Sequence, residues 1–213
     1  FVVDDLSKNP DFYVKGCTFN LNKFVDNTAM AHNYRDGTLL LCRLSPNDYH
    51  RFHFPFDCTP HRPVRIRGNL ESVNPIAYTP ITLHSSGNDG LYSAGVQPLT
   101  DNERHVITLT SDRCGDVLCV VVGAMMVGQI HYTYTEGHVY SKGSEMGYFG
   151  FGASTVVLIF KRGTIDVVDT FKRTCAQDRI LAYKDVYRNY THNTPVHYPE
   201  TKIRMGQRIA IFL

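Results

Sequence analysis

No stretch of this 213-residue chain approaches the roughly 18 consecutive apolar residues that a membrane-spanning helix needs. The longest apolar run, Val117 to Val122 and on to Val127, is interrupted by Gly123 and reads as a buried strand. Charge of one sign is also scarce: the formal net charge of +2 is too small to argue for nucleic acid as a partner. None of the six cysteines (Cys17, Cys42, Cys58, Cys114, Cys119 and Cys175) forms a C-x-x-C pair, so zinc-type spacing is missing. Cys42, Cys114 and Cys119 lie in or beside apolar runs, where free thiols pack as small hydrophobes. Unpaired cysteines in a reducing compartment are the expectation. A starting Met, a signal-peptide pattern, repeats and low-complexity tracts are absent as well. The expectation is one amino-terminally truncated domain over residues 1–213, with any upstream anchor or targeting segment outside it.

What is present is β-forming sequence. Runs rich in Val, Ile, Tyr, Phe and Thr recur between Gly, Pro, Asn and Asp, at 38–44, 64–66, 105–110, 118–122, 129–135, 155–161 and 163–168. Helical signals are few, at 21–24 and 175–188. Residues 84–90 read as a surface loop, and Asn189-Tyr190-Thr191 matches a glycosylation pattern too common to carry weight. Residues 136–149 hold glycines at 137, 143 and 147, each able to take positive φ in a tight turn, with Val139, Met146 and Phe149 expected to point inward. This element resembles the hairpin of barrel-sandwich hybrid folds, so the predicted fold is mainly β, a barrel-sandwich-hybrid-like core with a few short helices. Lys142 lacks the Met-Lys-Met context of the lipoyl and biotinyl carriers that share such hairpins. The basic run His61-Arg62-Pro63-Val64-Arg65-Ile66-Arg67 reads either as an anion- or membrane-facing surface or as the solvated face of an edge strand.

Two distant segments hold the reactive side chains. In the first, Ser45-Pro46-Asn47-Asp48-Tyr49-His50-Arg51-Phe52-His53-Phe54-Pro55, the prolines and aromatics favour extended backbone. His50 and His53 then face opposite ways, which suits two separate roles better than one metal ion, and acid/base work or plain packing both stay open. The second, Gly150-Phe151-Gly152-Ala153-Ser154-Thr155, places a serine after glycines and before an apolar strand. Such a serine attacks a carbonyl if a base takes its proton, yet a turn serine has the same surroundings. The G-x-S-x-G elbow is not present.

The run Leu44 to Pro55 resembles the signature of the phosphatidylserine decarboxylase family, and Gly152-Ala153-Ser154-Thr155 resembles its self-processing site. Collinear matches at Tyr13–Gly16, Ser72–Pro75, Val122–Gly128, Lys142–Phe151 and Glu200–Gln207 extend the resemblance over nearly the whole chain. It implies a zymogen that cuts itself between Ala153 and Ser154, leaving a pyruvoyl group formed from Ser154. That group would hold the substrate amine as a Schiff base and serve as electron sink for loss of CO₂. His53 is the candidate base for cleavage and His50 the candidate for the substrate carboxylate or carbanion, and the two assignments are exchangeable. Phe52 and Phe54 are candidate substrate contacts. With Phe56 they are also expected at an acyl boundary, beside Arg62, Arg65 and Arg67.

The implied substrate is phosphatidylserine, met at a membrane surface by peripheral association; a free, plausibly aromatic, amino acid and a non-catalytic domain of the same fold are the alternatives. A homodimer stays open. Three positions depart from the family pattern. The aspartate that orients the processing histidine is not supplied and is expected upstream of Phe1. Ala153 stands for the usual glycine, and Cys58, Phe54 and Phe56 are expected to alter the region near the histidines. Residues 171–198 form a longer segment than the family's, with no function assigned.

Overall fold

The computed structural model describes residues 2–3, 5–7, 13–14, 17–70, 98–124, 129–150, 154–172 and 201–213. The chain starts with β1 (Val2–Val3), then the paired strands β2 (Tyr13–Val14) and β3 (Cys17–Thr18) and the short helices α1 (Leu21–Val25) and α2 (Thr28–Asn33). β4 (Thr38–Leu44), β5 (Arg51–His53), β6 (Thr59–Pro60) and β7 (Val64–Ile66) follow. After α3 (Pro98–Asp101) come the long strands β8 (Arg104–Ser111) and β9 (Gly115–Val122), then β10 (Ile130–Tyr132), β11 (Glu145–Phe149) and β12 (Ser154–Phe160). β13 (Ile165–Val167), α4 (Asp169–Lys172) and β14 (Ala210–Phe212) complete the described elements.

The main sheet is antiparallel, in the order β1-β4-β12-β9-β8-β6, with β7 also paired to β8. A second antiparallel sheet runs β10-β11-β5, and β13 pairs with β14. The architecture is mainly β, as expected, and the described strands form open sheets that close no barrel.

Both faces of the main sheet are covered. Leu39, Leu41, Leu118, Val120, Val157 and Ile159 pack with Phe19, Phe24, Val25 and Ala31 on the helical side. Leu40, Ile107, Leu109, Val117, Cys119 and Val121 pack with Phe52, Phe54, Met146 and Phe149 on the side of the second sheet. Two buried faces explain why Val117 to Val122 is apolar throughout instead of alternating. The helices start on Asn20 and Asn27, whose side chains accept from the Lys23 and Met30 amides at 3.0 and 2.9 Å. Buried Arg104 of β8 donates to the Lys23 and Phe24 carbonyls, each at 2.6 Å, and satisfies the free end of α1.

Three expectations are corrected. Val139 is 79% exposed, so only Met146 and Phe149 of the 136–149 element enter the core. Gly137 and Gly143 do take positive φ, but Gly147 does not; a Cβ there would collide with the His131 carbonyl and come within 2.7 Å of Phe52 Cζ. The third concerns Phe52, Phe54 and Phe56, which are core residues and not an acyl-facing edge. Phe52 packs on Phe149 and Tyr132, Phe54 stacks on Tyr140 at 4.8 Å, and Phe56 meets Phe160 and Phe212. Their alternation along an extended segment turns the rings inward between the sheets. Phe54→Ser is therefore expected to cost about 3–5 kcal/mol, from the lost ring and the buried hydroxyl, read by chemical denaturation. A Phe54→Ser protein as stable as the parent but weaker on vesicles would restore the interfacial role. The predicted helix at 175–188, the loop at 84–90 and the matches at 15–16, 72–75 and 125–128 lie outside the described residues.

Candidate active site

Ser154 is the first residue of β12 and pairs with Leu44, the last residue of β4. Beyond Leu44 the chain turns, the Asp48 amide donating to the Ser45 carbonyl and the Ser45 amide to Asp48 Oδ2, both at 2.8 Å. It then enters β5, which pairs with β11. At that junction the Phe149 amide donates to the His50 carbonyl at 2.9 Å. Residues 45–49 thus cross from the main sheet to the second, leaving β4 beside Ser154 and entering β5 beside Phe149. This topology, and not closeness in sequence, brings the histidine segment to the serine. Ala153, like Gly152 and Phe151, lies outside the described residues.

Ser154 is fully buried, and its Oγ has no hydrogen-bond partner among the described residues. His50, half-buried as a residue, has one such atom. Its Nδ1 lies 2.6 Å from the Asp48 carbonyl, which can only accept, so in the neutral ring Nδ1 carries the proton. The opposite nitrogen, Nε2, is left as a buried lone pair without a partner. Burying polar atoms unpaired is costly, and native structures keep few of them. Here a hydroxyl and a potential base lack partners at the same crossing of the two sheets.

His53 is held differently. Its Nδ1 donates to the Gly143 carbonyl at 2.8 Å, and its Nε2 accepts from the Tyr49 hydroxyl at 3.0 Å. The Tyr49 ring stacks on the imidazole with 5.8 Å between centroids, and more than half of Tyr49 is exposed. The two imidazoles therefore have separate partners, as the extended reading of 50–53 requires. Arg51 between them points to the outer face of the second sheet, where it forks onto both Glu145 oxygens at 2.7 Å and covers Tyr148.

Phe52 and Phe54 are placed in the core beneath this crossing, not on an open surface. Cys58 is also a core thiol, its backbone paired with Tyr140, and burial pushes its pKa up to about 12. Sequence reasoning missed two features. Tyr49 carries no signal of its own in the sequence, although its hydroxyl occupies His53 Nε2. A second polar cluster, Arg65, Glu103, His105 and Tyr132, also went unseen. Its one signal was a histidine standing where the alternation of Ile107 and Leu109 calls for an apolar residue.

A family model described as phosphatidylserine decarboxylase matches residues 1–211. The phosphatidylserine decarboxylase proenzyme of Clostridium novyi is 34% identical over 210 residues, 99% of this chain and 60% of the relative. The proenzyme of the same name from Chlamydia trachomatis serovar L2 is 38% identical over 150 residues, 70% of this chain and 45% of the relative. That of Ruminiclostridium cellulolyticum is 39% identical over 159 residues, covering 73% and 47%. The chain spans about half the length of the curated relatives it matches.

Proposed function

Because the chain belongs to the phosphatidylserine decarboxylase family, we propose that it is the core of an enzyme that cuts itself between Ala153 and Ser154 and then decarboxylates phosphatidylserine. The observation that carries this reading is the pair of buried, unpartnered atoms, Ser154 Oγ beside the start of the 45–49 crossing and His50 Nε2 at its end. A hydroxyl at the start of a strand suits attack on the preceding carbonyl, because the pairing of β12 with β4 fixes where it stands.

In the proposed processing, Ser154 Oγ bonds to the Ala153 carbonyl carbon as a base takes its proton, and the peptide bond becomes an ester. Removal of the α-proton at 154 then breaks the ester C–O bond and leaves a carboxylate on Ala153. The unsaturated residue at 154 adds water and releases ammonia, ending as a pyruvoyl group. That group, once formed, supplies an electron sink for loss of CO₂ from a bound amine. The buried position of Ser154 fits it, since a carbonyl there is shielded from bulk water.

His53 is proposed as the processing base and His50 as the residue that meets the substrate. A group whose partner is the substrate has no need of a protein partner, and His50 Nε2 has none. His53 has its ring orientation fixed by Gly143, and it gains a free Nε2 when the Tyr49 hydroxyl swings away. The exchanged assignment is the second reading, favoured by the unpartnered Nε2 of His50 and Oγ of Ser154. The test of the function is intact mass on the full-length protein: two fragments divided at 153/154, the smaller carrying a carbonyl, and CO₂ released from phosphatidylserine. A single chain, or division elsewhere, removes Ser154 from its role.

Such a substrate sits in a bilayer, and no helix among the described residues is long and apolar enough to cross one. Peripheral contact is proposed through β7 and the residues beside it, where Arg62, Val64, Arg65 and Arg67 are exposed. Arg65 also pairs with Glu103 at 2.7 Å. Each basic residue near an anionic membrane contributes about 1 kcal/mol. Arg62→Gln with Arg67→Gln should weaken flotation with phosphatidylserine vesicles roughly 30-fold at low salt. Unchanged flotation would place the membrane contact elsewhere.

A further inference from the structure

Only three buried side-chain nitrogen or oxygen atoms lack a hydrogen-bond partner among the described residues: Ser154 Oγ, His50 Nε2 and His105 Nε2. The proposed chemistry uses the first two and leaves the third unexplained. His105 is joined to its neighbours in a short chain. Its Nδ1 lies 2.8 Å from the Tyr132 hydroxyl, its Nε2 lies 3.8 Å from Glu103 Oε1, and Glu103 Oε2 accepts from Arg65 at 2.7 Å. The Glu103 carboxylate facing Nε2 favours the tautomer with its hydrogen on that nitrogen, and the Tyr132 hydroxyl, kept protonated by burial, then donates to Nδ1. Burial also lowers the His105 pKa, Glu103 opposing this and Arg65 assisting it. The ring is then neutral, and Nε2 carries the hydrogen. At 3.8 Å that N–H is too far from Glu103 to bond it. It is a donor awaiting an acceptor.

The sheet register ties this donor to the serine. Thr155 pairs with Val122, and Val122 with Arg104. One step farther along the ladder, Ser154, Gly123 and Glu103 stand level, and there the Gly123 amide donates to the Glu103 carbonyl at 2.9 Å. Two strand spacings, about 10 Å, separate Ser154 from Glu103. Ser154 shares its side of β12 with Val156 and Leu158, and His105 shares its side of β8 with Ile107 and Leu109. Those four pack into the layer facing the second sheet. Gly123, which stands between Ser154 and Glu103, contributes no side chain, while Val121 stands level with His105 one step deeper. Both groups therefore face one interlayer space at one end of the sheet.

We propose that His105 is a substrate-positioning residue of the Ser154 centre, its Nε2–H donating to a phosphodiester oxygen of the serine headgroup. This rests on the reading of the chain as a phosphatidylserine decarboxylase. In that substrate the amine reacts at position 154, and the carboxylate is attached to the same carbon as the amine, so it stays beside 154. The phosphodiester lies several bonds farther along the headgroup and is the anionic group that can reach toward β8. Arg65, which neutralises Glu103, removes the repulsion an anion would meet there. A free amino acid has nothing to offer this donor.

The experiment compares full-length, self-cleaved protein with His105→Phe, which keeps a ring against Tyr132, and His105→Gln, which keeps an N–H donor. Calorimetry with glycerophosphoethanolamine reads binding without decarboxylation. His105→Phe should weaken it about tenfold, and His105→Gln should recover most of the loss. Ethanolamine, lacking the phosphodiester, should bind all three proteins alike. With phosphatidylserine in detergent micelles, KM should rise by a similar factor while kcat and self-cleavage hold. The inference is overturned if His105→Phe binds glycerophosphoethanolamine like the parent, if His105→Gln fails to recover, or if ethanolamine binding falls equally. A parent protein that releases no CO₂ from phosphatidylserine instead overturns the reading beneath it.

Discussion

Replacing Ser154 with alanine is expected to leave one uncut chain with no carbonyl and no decarboxylation, without lowering the melting temperature. Both halves of this result follow from burial. The hydroxyl is fully buried and bonds to nothing among the described residues, so it contributes nothing to stability that its removal would forfeit. An unsatisfied buried polar group costs about 1–3 kcal/mol, and the alanine protein should be unchanged or more stable by up to that amount. A serine serving only as a turn residue predicts the opposite: normal cleavage and some loss of stability. Mass spectrometry and a thermal melt on the same preparation separate the two. An alanine protein that still divides at 153/154 ends the proposal that this side chain is the nucleophile.

The two histidines should part company when each is replaced by alanine. His53→Ala is expected to stay uncut. His50→Ala is expected to divide normally and then release CO₂ about 10²–10⁴-fold more slowly, the usual scale for losing a positioned acid or base. The physical ground is the difference in their partners. Gly143 and Tyr49 occupy both nitrogens of His53, whereas His50 keeps a buried Nε2 for a partner that arrives later. Should the pattern reverse, the unpartnered Nε2 of His50 is the one that deprotonates Ser154, and the roles exchange. Normal cleavage and turnover in both proteins would make the constellation structural.

The free amino acid alternative receives no support from the comparisons, since the relatives above are named for phosphatidylserine. The corrections share a cause. Phe52, Phe54 and Phe56 were placed at a surface because they flank the histidines. In an extended segment, neighbours in sequence lie on opposite faces, so flanking a site does not mean lining it.

Local rules sufficed for several of the strands. Residues 38–44 and 64–66 form strands with the expected bounds, short runs of non-helical length set between turn residues. The motif order along the chain also pointed to the family, since a self-processing serine and its histidines need particular residue types. The sequence by itself thus determined the mainly β class, the candidate Ser154, His50 and His53, and the family. Only the tertiary structure decided which nitrogen of each histidine is occupied, that the phenylalanines are core, and that His105 shares a face with Ser154. Those are properties of strand register across β4, β12, β9 and β8 and of the β5–β11 pairing. The β4–β12 and β5–β11 registers depend on contacts between residues about 90 or more apart in sequence, as with Glu145 opposite His53, and no local periodicity records which distant strand lies alongside.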